Sequence, residues 1–187
     1  MKMLMTAIRV SLFFMLLCGL IYPLVTTGAA QLLFPMQANG SLMEEGGVVK
    51  GSELLAQSVE TPKLFHPRDS GAKYDPTASA GSNRAVATAD YVKEMGDKVA
   101  GVKKNDPSLT DIPADLVTAS GSGFDPDLSP EAAKAQVPRI SKETGMSADD
   151  LNKLIDNLAK GRQLGIFGEP RVNVNDLNTE LLKQIKL

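Results

Sequence analysis

Hydrophobic and polar positions divide this chain into two regimes. From Val10 to Met43 no residue is charged, a run of 34, and from Glu44 onward charges recur every few residues. The most apolar stretch, residues 10–33, would make a helix about 36 Å long against a hydrocarbon core of ~30 Å. The Val, Leu, Ile and Phe side chains between Val10 and Val25 each favour insertion by roughly 0.3–0.6 kcal/mol at the bilayer centre. Ser11, Thr26 and Thr27 can return their hydroxyls to helix carbonyls, and Pro23 is expected to kink the helix without preventing a span. Lys2 and Arg9, with no acid beside them, orient the amino terminus toward the cytoplasm. The pattern therefore predicts a cytoplasmic segment 1–9, a transmembrane helix 10–33 and an extracytoplasmic (periplasmic) domain 34–187, held in the inner membrane. The alternative is a secretory signal cleaved near Gly28-Ala29-Ala30. The apolar stretch exceeds the 7–15 residues of a signal core and resumes at Leu32-Leu33-Phe34, which favours an anchor that is kept.

Beyond the span the pattern is α+β, a single mixed domain. Gly47-Val48-Val49-Lys50 reads as a short strand, and Ser52 as the cap of a helix carrying Leu54, Leu55 and Val59. Residues 63–83 lack helical period and hold Pro67, Gly71, Pro76 and Gly81, the marks of a long ordered loop. A helix follows over about 85–103, with Val86, Ala89, Val92, Val99 and Val102 as its apolar members and Gly96 and Gly101 weakening it. Leu116-Val117 opens a strand-to-loop passage. Ser129-Pro130-Glu131 has the order of a helix start: cap, proline in the first turn, acid near the positive end of the dipole. Pro138 should end or kink that helix, and Gly145 closes the segment. Ser147 with Asp150 forms a capping box for Leu151, Leu154, Ile155 and Leu158, one stripe at i, i+3, i+4, i+7. Val172 to Asn175 alternates like a strand, and Asp176 is expected to cap a last helix burying Leu177, Leu181, Leu182 and Ile185.

Composition narrows the chemistry. The domain carries all 22 acidic residues and 18 of the basic ones, which argues against nucleic acid as a partner. One cysteine, Cys18, excludes a disulfide framework and a zinc site of several thiolates. No Walker loop and no Gly-x-Ser-x-Gly elbow is present. The weak candidates for anion binding are the loops Ser79-Ala80-Gly81-Ser82-Asn83 and Ser120-Gly121-Ser122-Gly123, whose amides could form a nest, or whose glycines simply permit tight packing. His66 is the only histidine, and no triad partner is suggested by spacing. Asp125-Pro126-Asp127 lacks the EF-hand spacing. Arg68, Arg84, Arg139 and Arg171 are expected to pair with carboxylates inside the domain or across an interface, with Arg139 and Arg171 the interface candidates. The residues alone predict neither a catalytic group nor a metal site.

Several strings occur together in order: Phe65-His66-Pro67-Arg68, Ser79 to Asn83, Pro113 to Gly123, and Gly168-Glu169-Pro170-Arg171-Val172-Asn173-Val174. With the anchor, they make the whole chain similar to the C subunits of bacterial Kdp potassium-transporting ATPases. Ala80 departs from the glycine usual there. The resemblance implies a four-subunit inner-membrane complex with a channel-like potassium-translocating subunit, a P-type ATPase subunit and a very small membrane subunit. It also implies a catalytic chaperone that raises ATP affinity, so ATP enters as a cofactor of the complex and potassium as its transported ion. The orientation leaves only residues 1–9 on the ATP side, too few to enclose a nucleotide pocket, so the expected effect on ATP is indirect. The rival expectations are a tethered domain that caps or gates potassium entry or binds a solute itself, and an enzyme using His66 with Ser120 or Ser122.

Overall fold

A computed structural model describes residues 1–105, 107 and 109–185 of the chain. It divides into two compact units, Met1–Lys50 and Gly51–Leu187. A long apolar helix is followed by a mixed α/β region, the class the pattern predicts.

In the first unit α1 (Lys2–Leu16), a π-helical turn (Leu17–Ile21) and α2 (Tyr22–Leu33) form one 32-residue helix, long and apolar enough to cross a membrane. The wide turn has a local cause. Pro23 has no N–H to give the carbonyl four residues back, and just before it the Tyr22 N–H reaches the Leu17 carbonyl, five residues back. None of the residues in α1 or α2 is buried. A short α3 (Pro35–Ala38) leads to the hairpin of β1 (Leu42–Glu45) and β2 (Val48–Ser52). Its two-residue turn has φ of +60° at Gly46 and +78° at Gly47, which a tight turn of this hand requires and glycine supplies without strain.

The second unit is organised around four helices: α5 (Pro130–Lys134), α6 (Val137–Thr144), α7 (Ala148–Leu158) and α8 (Val174–Gln184). Ser129 accepts from the Ala132 N–H, Ser147 from the Asp150 N–H, and Gly145 ends α6 with a φ of +78°. Pro138 lies in the first turn of α6, so α5 stops ahead of it. Ile140, Leu151, Ile155, Leu177 and Leu181 meet in one apolar cluster with Phe65, Leu128 and Val172. The antiparallel pair β5 (Asp127–Leu128) and β6 (Val172–Asn173) closes one side, in register Asp127↔Asn173 and Leu128↔Val172.

The loop 63–68 reaches this core through two side-chain amides. Asn178 accepts from the Phe65 N–H (2.8 Å) and donates to the Phe65 carbonyl (2.9 Å). Gln136 does the same for His66, at 2.8 and 3.0 Å. Each amide stands in for a neighbouring strand, satisfying both backbone groups of a residue whose segment has no sheet partner of its own.

The strand expected over Val172 to Asn175 stops at Asn173, because Val174 already opens α8. Four further expectations need correction. No helix follows Ser52: its hydroxyl accepts from the Leu54 N–H in a turn, and Asn173 and Asn175 take the carbonyls of Glu53, Ser52 and Leu55. Tertiary bonds have thus claimed the groups a helix would use. The last helix is capped by Asn173, whose Oδ1 accepts from the N–H groups of Asn175 and Asp176, so Asp176 lies inside α8 and Leu182 turns outward. Leu116 ends a 3-10 turn (Ala114–Leu116), and the strand passage begins later, at β4 (Ala119–Ser120). The helix expected over 85–103 is α4 (Ala89–Asn105), with Val86 ahead of it and Val86 and Val92 exposed.

Candidate functional site

The two glycine loops, some 40 residues apart in sequence, lie against each other. The parallel pair of β3 (Asp69–Ser70) and β4 aligns Asp69 with Ala119 and Ser70 with Ser120, which sets the loops after each strand side by side. A Cβ on Gly81 would stand 2.7 Å from the Gly121 carbonyl oxygen, and one on Gly123 equally close to the Ala80 carbonyl oxygen. Both positions need glycine because backbone passes over backbone. Ser79 Oγ donates to the Ser122 carbonyl across the junction at 3.0 Å. Asn83 takes a positive φ at the exit, and Ser82 beside it is exposed. The hydroxyls of Ser120 and Ser122 bond each other at 3.2 Å and accept from nearby backbone N–H groups.

His66 does not join these serines. Its Nε2 lies 2.9 Å from the Thr61 carbonyl. Burial lowers its pKa below the ordinary value; the Thr61 carbonyl opposes that, and the Arg139 charge adds to it. Arg139 itself turns inward to the chain, donating to the carbonyls of Pro62 and Leu64 and to Gln136 Oε1. It braces the loop that Gln136 holds.

Arg68, Arg84 and Arg171, the other arginines singled out from the sequence, pair with carboxylates. Arg84 meets Glu94 on the exposed face of α4 at 2.7 Å. Arg68 and Arg171 line a charged groove of about 690 Å³. There Arg171 Nε binds Asp127 at 2.8 Å and Arg68 Nη1 approaches Asp125 at 3.4 Å. Arg162 adds a third pair with Glu169, at 2.6 Å. Asp115 accepts from the Ser129 N–H at the start of α5, and Glu131 stands on the same wall with no ion pair among the described residues. Five carboxylates thus face three guanidinium groups. Burial raises the pKa of Asp127, against the pull of Arg171. A groove this polar is unlike the apolar pocket that holds a small molecule, and its alternating charges suit a protein surface. Among the described residues no group of three or more His, Cys, Asp or Glu is placed to hold a metal ion.

One feature of this face leaves no mark in the hydrophobic periodicity. Lys160 pairs with Arg171 and Gln163 with Phe167, which makes residues 160–171 a hairpin-like ribbon. Its stem supplies Arg162, Glu169 and Arg171 to the groove, and its turn exposes Leu164, Ile166 and Phe167. The signal available is Gly161, Gly165 and Gly168 spaced around Leu164, Ile166 and Phe167, a pattern that fits neither helix nor strand period.

Comparison with known proteins places these features in a family. Residues 4–183 match the family model described as KdpC: K+-transporting ATPase, c chain. The chain is 46% identical over 181 residues to the potassium-transporting ATPase KdpC subunit of Caldanaerobacter subterraneus subsp. tengcongensis, covering 96% of this chain and 94% of the relative. It is 46% identical over 182 residues to the KdpC subunit of Bacillus cereus, with the same coverage. Against that of Geobacter sulfurreducens it is 47% identical over 190 residues, 97% of each chain.

Proposed function

Because the chain belongs to the KdpC family, the c chain of the K+-transporting ATPase, we propose that it is a non-catalytic accessory subunit that raises the ATP affinity of its complex from across the membrane. The apolar helix anchors it in the inner membrane with the amino terminus in the cytoplasm, and the domain stands on the side from which potassium enters. Its partners are the channel-like potassium-translocating subunit, the P-type ATPase subunit and the small membrane subunit of the same assembly. Potassium is the cargo of that assembly, and ATP is bound by the catalytic partner.

The observation that carries this reading is the position of Lys2 and Arg9 at the head of a 32-residue helix whose remaining residues are uncharged. Charge at that end alone holds it in the cytoplasm, and the few residues there cannot enclose a nucleotide. Influence on ATP then requires that the chain bind one conformation of the ATPase better than another. A tenfold change in affinity needs a difference of only ~1.4 kcal/mol between those states. The loops of Ser79–Asn83 and Ser120–Gly123 serve the domain as packing partners, and Arg171 on the groove belongs to its docking face.

The test compares purified complex with and without this chain, following potassium-stimulated ATP hydrolysis across ATP concentration. The expected result is an apparent KM for ATP about tenfold higher without the chain. Unchanged KM and unchanged maximal rate would overturn the accessory role.

A further inference from the structure

We infer that the turn of the 160–171 hairpin is the anchor by which this domain docks onto another subunit of its complex, seating Leu164, Ile166 and Phe167 in an apolar socket edged by basic side chains. The inference rests on the accessory-subunit reading and says which surface makes the contact.

Two independent features of the turn point this way. The first is exposure: Leu164 is 88% accessible, Ile166 72% and Phe167 62%, three large apolar side chains within four residues. Single exposed apolar residues are ordinary, but a cluster on one protruding turn marks a contact surface. The second is conformation. Leu164 has a φ of +54°, a left-handed backbone that glycine adopts freely and a branched side chain does not. Its side chain meets no compensating core, and Gly165 and Gly168, at φ +74° and +79°, hold the turn in shape around it. Strain at a surface residue that buries nothing within its own chain is explained when the burial occurs against another.

The surroundings choose the occupant. The hairpin stem runs directly into the charged groove, so the apolar turn and the groove form one continuous surface. Within it Arg162, Arg68 and Arg171 are each taken by a carboxylate, which leaves Asp115 and Glu131 in excess. An apolar centre beside a polar, net-negative rim is the anatomy of a protein interface, and its complement is an apolar hollow with lysine or arginine at the edge. A lipid surface fits worse: in the groove that the stem lines, five carboxylates outnumber three guanidinium groups, an excess that acidic headgroups would repel.

The experiment uses the full chain in its complex. Leu164→Asp, Ile166→Asp and Phe167→Asp are introduced together, with Val86→Asp and Val92→Asp as a control on other exposed apolar positions. Retention of the chain on the affinity-purified complex is then measured in detergent at 150 mM salt. The triple variant should lower retention at least tenfold and the control should not, while melting of the domain is the same for wild type and variants. A photo-crosslinker at position 166 should join the chain to another subunit. Full retention of the triple variant, or crosslinks to lipid alone, overturns the docking turn and leaves the accessory role standing. Failure of the wild-type chain itself to remain on the complex overturns both.

Discussion

Two helices in this molecule show how little of burial is decided by helix formation. Both α7 and α4 have apolar residues at helical spacing, and α4 is the longer, 17 residues against 11. Yet α7 buries Leu151 and Ile155 completely and Leu154 nearly so, whereas among the described residues no apolar side chain of α4 belongs to the core. The side chains explain the difference. A Leu/Ile stripe removes enough apolar area to fix a helix on its neighbours, while the valines and alanines of α4 are interrupted by Gly96 and Gly101 and flanked by charge. What holds α4 to the domain includes Lys98, which bridges Asp69 at 2.8 Å and Glu94 at 3.6 Å. Such half-exposed ion pairs contribute modestly.

The comparison can be broken by substitution. Ile155→Ala, at a fully buried position of α7, should destabilise the domain by about 2–5 kcal/mol in urea titration. Next comes Asn178→Ala in α8, which strips both partners from the backbone of buried Phe65. A loss of about 2–4 kcal/mol is expected, and Asn178→Asp should not recover it, because one carboxylate oxygen would face the Phe65 carbonyl, acceptor against acceptor. Gly96→Ala in α4 should act the other way. A Cβ there meets nothing within 4 Å, so helix propensity alone operates, and α4 should gain up to about 1 kcal/mol of protection in hydrogen exchange.

The smallest effect concerns pH. Folding holds the pKa of His66 below its ordinary value of 6.5, so below that pH the unfolded chain binds the proton more tightly than the folded one. Stability is therefore full above pH 6.5 and falls as the pH drops through the folded value. His66→Gln should flatten the stability curve between pH 7 and 5 in thermal melts, and an unchanged slope would assign the acid sensitivity elsewhere.

The same contrast bears on what the chain discloses by itself. Caps and stops that act within one turn were legible: Ser129, Ser147, Gly145 and Pro138 all do locally what their chemistry prescribes. The long amino-terminal helix is legible for the same reason, since its length and apolar composition alone mark it as able to cross a membrane. Features that depend on distant partners were not. Ser52 has the look of a helix cap, but amides from Asn173 and Asn175, more than 100 residues away, claim its surroundings. Asp176 has the chemistry of a cap, but Asn173, at the end of β6, starts the helix three residues earlier by accepting from the N–H groups of Asn175 and Asp176. The glycine loops could be read as a nest or as a packing device. Only their convergence reveals backbone of one against backbone of the other. The groove was least visible of all, because its arginines and carboxylates come from four separate stretches of chain.

The function proposed above depends on which side of a membrane the domain occupies. Cys18 is the only cysteine, so Cys18→Ala with Lys153→Cys, an exposed position on α7, gives a single reporter in the folded domain. Labelling with a membrane-impermeant maleimide in right-side-out and inverted vesicles reads that side directly. An outward-facing domain reacts in right-side-out vesicles alone, and reaction in inverted vesicles alone would contradict the indirect route to ATP affinity.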